Sequence, residues 1–267
     1  MKVAILTITD GANYGNRLQN YALQETIKNL GFEVETIRRK TFRDKTGVAR
    51  VFEIAKMIIK KSFGNNNNCL YEKRRKKFLA FNERYIKLST DVIGNNFAPE
   101  DLNDKYDYFV CGSDQVWNAR IPIVKEDIKN YLAAFACREK RIAYAASFGT
   151  NDVPAEYRTL FTKQLKEFKA IGLREEAGLK IVEDLTGRID AKIVLDPTML
   201  LSAEVWSKIA QKPIFFFFNT PYIVTYFLGG RNQKIMQYIS NLANKYGCTV
   251  YNLENEFRAD NIDELDV

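Results

Sequence analysis

Residues Asp10–Gln24 read DGANYGNRLQNYALQ. The apolar run VAILTI, Val3–Ile8, precedes them, and an amphipathic run follows. A glycine- and asparagine-rich turn therefore lies between a strand and a helix, where α/β proteins often hold phosphates or carboxylates. The periodicity predicts a helix from about Asn16 to Leu30, with Leu18, Tyr21, Ala22, Ile27 and Leu30 near one face and Gly31 as its stop. Glu33–Ile37 reads as the next strand. Strand, loop, helix, strand is the opening of a parallel, doubly wound sheet. The loop lacks the GxGxxG spacing, so no dinucleotide site follows from it.

The same pattern recurs four times downstream. DYFVC (Asp107–Cys111) runs into GSDQVWN, RIAYAA (Arg141–Ala146) into SFG, AIGL (Ala170–Leu173) into REE, and KIVL (Lys192–Leu195) into DPT. Each is a short apolar strand that gives way to small, polar or charged residues. In an open α/β sheet the carboxyl ends of the strands line the ligand crevice, so these polar ends form one expected site. Between the first unit and these strands, Arg50–Ser62 is a helix candidate, Ser62–Asn68 (SFGNNNN) a loop, and Glu72 to about Ile86 a basic helix.

The chain has 267 residues and no histidine. Ser-His-Asp triads, Cys-His pairs and HExxH zinc sites are therefore excluded for it, and acid–base chemistry must use carboxylates, lysine, tyrosine or cysteine. No carboxylate cluster calls for a metal. Cys69, Cys111, Cys137 and Cys248 form no CxxC pair and read as reduced thiols of a cytoplasmic protein. No run approaches the 18 apolar residues of a membrane span, and the N-terminus fits a buried strand better than a signal peptide. The net charge is +7, yet Arg38–Lys77 alone holds 14 Lys/Arg against 3 Asp/Glu, leaving the remainder net acidic. That stretch is either a solvated helix face or a surface for an anionic sugar polymer or membrane, which would place the protein peripherally at the inner membrane face. Without interleaved aromatic residues it does not read as a nucleic-acid site.

A second strand–loop–helix–strand unit begins near Tyr222, after the apolar run Ile214–Phe218. The expected organisation is an N-terminal Rossmann-like domain over 1–212 and a partial second one over 213–267. So short a second unit cannot bury a proper core alone. It is expected to be incomplete, or completed by packing on the first domain or on another copy in a homo-oligomer.

NYGNRLQNYAL, YDYFVCGSDQVWN, RIAYAASFG, GLREEAG and IVLDPTMLL, in this order, resemble the polysaccharide pyruvyl transferase family from Met1 to about Leu253. The resemblance implies a GT-B-like fold of two Rossmann-like halves around a cleft. It implies transfer of a pyruvyl group from phosphoenolpyruvate, the donor substrate, to two hydroxyls of a sugar or lipid-linked oligosaccharide acceptor, with no cofactor. The products belong to capsules and other bacterial envelope polysaccharides. The family also carries a stretch resembling TDSFHG, which this sequence lacks. That departure keeps open a non-catalytic glycan- or protein-binding remnant, and the shared architecture keeps open a nucleotide-sugar glycosyltransferase.

Phosphoenolpyruvate is strongly anionic and calls for arginine forks or backbone N–H donors. Asp114, on the Gly-Ser turn after its strand, is the candidate acid–base group, or else a cap. Arg174 is the candidate anion clamp, or else a partner of Glu175 or Glu176. Candidate substrate-binding residues are Asn13, Tyr14, Gly15, Asn16, Arg17 and Gln19 in the opening loop and helix, and Gly112, Ser113, Gln115, Asn118, Ser147 and Glu175 at the later strand ends. Trp117 suits either a sugar ring or the core. Asp196-Pro197 reads as a turn.

Overall fold

The computed structural model describes residues 1–9, 13–40, 67–211, 220–227 and 232–253, the side chains of 67–74 excepted. Seven parallel strands form the main sheet: β1 Lys2–Leu6, β2 Glu33–Arg39, β3 Leu88–Ile93, β4 Tyr108–Cys111, β5 Arg141–Ala146, β6 Ala170–Leu173 and β7 Lys192–Ile193. Their spatial order is β3-β2-β1-β4-β5-β6-β7. The longer helices are α1 Tyr14–Asn29, α2 Asn67–Tyr85, α3 Ala155–Leu165, α4 Glu176–Thr186 and α5 Gln233–Tyr246. The order runs one way from β1 to β3 and the other way from β4 onward. The β1/β4 seam is therefore the topological switch point, where such sheets open a crevice.

Alternation along the central strands builds the core. Val3 and Ile5 of β1 and Val110 of β4 point to the face covered by Leu23 and Ile27 of α1. Ala4, Leu6, Phe109 and Cys111 point to the other face, against Trp117, Phe148, Phe161 of α3 and Val182 of α4. A parallel sheet covered on both faces needs apolar side chains at successive positions, which is why these strands read as continuous apolar runs.

Helix α1 departs from the expected pattern. Tyr21, Ala22 and Ile27 are buried, but Leu18 and Leu30 are exposed. Amides occupy part of the inner face instead. The Gln24 amide donates to Thr36 Oγ1 (2.7 Å) and to the Lys87 carbonyl, and Thr36 Oγ1 donates to Asn20 Oδ1 (2.7 Å). Each buried amide has partners, so its desolvation is offset.

One further expectation needs correction, and one strand was not expected at all. Helix α2 begins at Asn67, inside the asparagine run read as a loop; asparagine, poor inside helices, is well suited to their ends. Strand β3 (LSTDVI) lies at the sheet edge and is too polar to announce itself as buried. The expected helix Arg50–Ser62, the run Ile214–Phe218 and the boundary at 212/213 lie outside the described residues. The second unit has the expected order: β8 Tyr222–Tyr226, helix α5 and β9 Thr249–Leu253, the two strands paired in parallel. Among the described residues Cys111, Cys137 and Cys248 are free thiols, and no helix is long and apolar enough to cross a membrane.

At the amino end of the sheet, Glu35 of β2 accepts from Tyr106 Oη (2.5 Å) and from Lys2 Nζ (2.8 Å). Burial alone would raise the Glu35 carboxyl, but these donors, with the Lys2 and Lys87 charges, hold it below its ordinary 4.5. A carboxyl so depressed adds stability above its ordinary value, and that stability is lost as pH falls through the depressed one. Glu35→Gln is therefore expected to cost on the order of 1–3 kcal/mol at pH 7. It is also expected to shrink the gap between urea midpoints measured at pH 7 and pH 3. An unchanged gap would remove Glu35 from the acid response.

Candidate functional site

The register of the central strands sets the site. Leu6 of β1 pairs with Cys111 of β4, so the chain after each strand emerges side by side at the switch point. Gly112 donates its N–H to the Leu6 carbonyl (3.0 Å), and the peptide between Gly112 and Ser113 is cis. Thr7 Oγ1 donates to the Ser113 carbonyl (2.9 Å), and Gln19 Oε1 accepts from the Ser113 N–H (3.2 Å). The Gln19 amide nitrogen donates to Thr7 Oγ1 and to the Asn16 carbonyl. Gln19 is thus committed to holding the β4 loop. This corrects its reading as a ligand amide: it is buried, with its polar groups spent inside the protein.

The loop aims Asp114 at the ends of β6 and β7. Asp114 has φ 77, a left-handed conformation that asparagine and aspartate tolerate better than most residues. Its Oδ1 accepts from the Gln115 N–H (2.8 Å) and lies 3.8 Å from Arg174 Nη2. Arg174, just past β6, also approaches Asp196 Oδ2 through Nη1 (3.4 Å) and Glu175 Oε2 through Nε (4.0 Å). Ser113 Oγ donates to the same Asp196 Oδ2 (3.2 Å). Glu175 Oε1 accepts from Ser147 Oγ (2.8 Å) and from the Phe148 N–H (2.9 Å), tying the β5 loop to the β6 loop. Ser113, Asp114, Ser147, Arg174, Glu175 and Asp196 therefore form one cluster across the carboxyl ends of β4, β5, β6 and β7.

Its electrostatics are uneven. Burial pushes the Asp114 carboxyl above its ordinary 3.8 and the Asp196 charge adds to this, outweighing the Gln115 N–H and Arg174. Burial would also raise Asp196, but the Thr198 N–H and hydroxyl, Ser113 Oγ and Arg174 hold it below 3.8. Burial, then the Asp196 charge, raises the Tyr144 phenol above 10.0. Arg174 is thus no isolated anion clamp. It sits among three carboxylates, yet none of the contacts is a tight bidentate pair and its side chain remains 32% exposed. Its fork retains donors for an incoming anion.

The other predicted residues fall into separate groups. Asn13 caps α1, its Oδ1 accepting from the Asn16 N–H (3.3 Å). Arg17 is buried rather than superficial, with its guanidinium 4.9 Å from the centre of the Phe78 ring and Nη1 donating to the Asn13 carbonyl (3.4 Å). Tyr14 packs on Phe78 (4.9 Å) and Tyr226 (6.0 Å). Asn13 and Gly15 are exposed, and Asn16 is buried. This group meets the carboxylate cluster through Gln19. Gln115 Oε1 accepts from Asn118 Nδ2 (2.8 Å), and Asn118 Oδ1 caps the Arg120 N–H (3.0 Å), as turn residues do. Trp117 is in the core, between Phe148 and Phe168, its Nε1 donating to the Tyr131 carbonyl (3.1 Å); it is not a sugar platform. Asp196 makes the expected turn, Oδ1 accepting from the Thr198 N–H (3.0 Å). Its contacts with Ser113 and Arg174 bring it into the cluster as well. Among the described residues no group of three or more acidic or cysteine side chains could hold a metal ion.

A Rossmann-like, GT-B-like α/β sheet with a polar cluster at the carboxyl ends of its strands is the class that this architecture defines. A sequence model of the polysaccharide pyruvyl transferases matches residues 13–262, and the chain belongs to that family. No curated protein matches it.

Proposed function

We propose that the protein transfers a pyruvyl group from phosphoenolpyruvate to two hydroxyls of an envelope polysaccharide or its lipid-linked precursor, forming a cyclic ketal. The observation that carries this reading is Asp114, a largely buried carboxyl raised above its ordinary value, 3.8 Å from the partly exposed Arg174 at the carboxyl ends of the strands. Arg174 takes the carboxylate or phosphate of the donor. The donor's negative charge further favours protonated Asp114. Asp114 gives that proton to the methylene carbon, which becomes a methyl group and leaves the adjacent carbon electrophilic. One sugar hydroxyl adds there and returns its proton to Asp114. The second hydroxyl then displaces inorganic phosphate, its proton leaving with the phosphate. Glu175, partly exposed, can accept from a sugar hydroxyl through Oε2, the buried Ser113 and Ser147 hold Asp196 and Glu175 in place, and the exposed Lys76, Lys77 and Arg84 of α2 suit an acceptor presented at an anionic surface.

The test supplies the protein with phosphoenolpyruvate and a panel of hexose and hexosamine glycans. Phosphate release matched by a ketal on the glycan, seen by mass, is the expected result. Absence of both across the panel, with heat of binding for glycan but none for phosphoenolpyruvate, would favour a glycan-binding protein instead.

A further inference from the structure

Asp196 and Asp114 share one guanidinium, but their surroundings differ. Among the described residues, Asp196 has four donors. Oδ1 takes the Thr198 N–H (3.0 Å) and Oγ1 (2.8 Å), and Oδ2 takes Ser113 Oγ (3.2 Å) and Arg174 Nη1 (3.4 Å). A proton on Asp196 would displace at least one of them. The Asp114 carboxyl has, among the same residues, a single hydrogen bond, from its neighbour's N–H, and the longer approach to Arg174 Nη2. We infer that Asp196 is a positioning residue: it stays ionised, anchors the Nη1 edge of Arg174, and leaves the proton of this carboxylate pair on Asp114. This rests on the acid–base role proposed for Asp114.

The charged and titratable groups around the pair, among the described residues, lie on or just after the neighbouring strands. They are Arg174 and Glu175 after β6, Tyr144 on β5, and the two aspartates themselves. Glu175 has Oε1 tied to the β5 loop. When two carboxyls are pushed apart in this way, the one with fewer partners carries the mobile proton.

The test is a carboxyl titration followed by carbon-detected NMR on the protein labelled in aspartate, with Asp114→Asn and Asp196→Asn supplying the assignments. In the unaltered protein Asp196 must titrate below Asp114; the reverse order overturns the inference. In Asp196→Asn, the amide oxygen can keep the Thr198 cap while the charge is lost. The Asp114 midpoint is then expected to fall by about one unit, because a repelling charge is gone and Arg174 is freed to pair with Asp114. A midpoint that stays or rises in a folded variant overturns the inference. Neither titration needs turnover, so a failure here is distinguishable from failure of the pyruvyl-transfer reading, which the glycan assay judges.

Discussion

Asp114→Asn is expected to leave a folded protein that forms ketal 10²- to 10⁴-fold more slowly, roughly the contribution of a positioned general acid. The substitution is chosen for its backbone. At φ 77 most side chains are strained, but asparagine is among the residues that visit this region readily. Its Oδ1 can still accept from the Gln115 N–H, and the backbone bond from the Ser147 N–H to the residue 114 carbonyl (3.0 Å) is untouched. What is removed is the carboxyl's capacity to give and take a proton, together with its charge beside Arg174. The thermal midpoint should therefore stay close to that of the parent while phosphate release collapses. In the parent protein the rate should fall as pH rises through the raised Asp114 value, because the acid acts in its protonated form. A variant with near-normal turnover would move the acid role elsewhere, with the Tyr144 phenol the next group to examine.

The strands that carry this site were legible because their apolar runs stop abruptly. Arg141–Ala146 and Ala170–Leu173 have the same bounds in the sequence reading and in the structure. A strand buried on both faces must be apolar throughout, and the crevice at its end must be polar. The same reasoning could not find β3, an edge strand with serine, threonine and aspartate in it. Nor could it sort the amides of α1. Gln19 and Asn16 look like ligand-binding groups in a sequence, but Gln19 spends its hydrogen bonds on Thr7, Asn16 and Ser113. That outcome depends on β1 lying beside β4, a fact of topology rather than local pattern. Asp196 shows the same limit. Its turn-forming role needs only its own neighbours, Pro197 and Thr198, and was readable. Its contact with Ser113, 83 residues away in sequence, arises only when β7 folds up beside β6.

Gly112→Ala is expected to destabilise the fold on the order of 4 kcal/mol, by combining a disfavoured backbone with an overfilled site. Gly112 has φ 116, and a Cβ there would lie 2.3 Å from the Tyr144 carbonyl oxygen and 3.2 Å from the Ala146 N. Both neighbours are main-chain atoms of β5, so neither can swing aside as a side-chain end would. Relief requires β4 and β5 to part. Their separation would disturb the pairing of Cys111 with Ala143 and the bond from the Ser147 N–H to the Asp114 carbonyl. A whole domain is typically stable by only about 5–15 kcal/mol, so the loss is a large fraction of the total. A urea titration should show a much lower midpoint, and whatever remains folded should have lost turnover because Asp114 is carried on the displaced loop. Gly31→Ala is the comparison. Gly31 also has positive φ, at 85, but a Cβ there would meet nothing within 4 Å. Its cost should be confined to the backbone, about 1 kcal/mol, with turnover unchanged. Equal losses at the two glycines would show that backbone conformation alone sets the cost, and that the close approach of β4 to β5 does not.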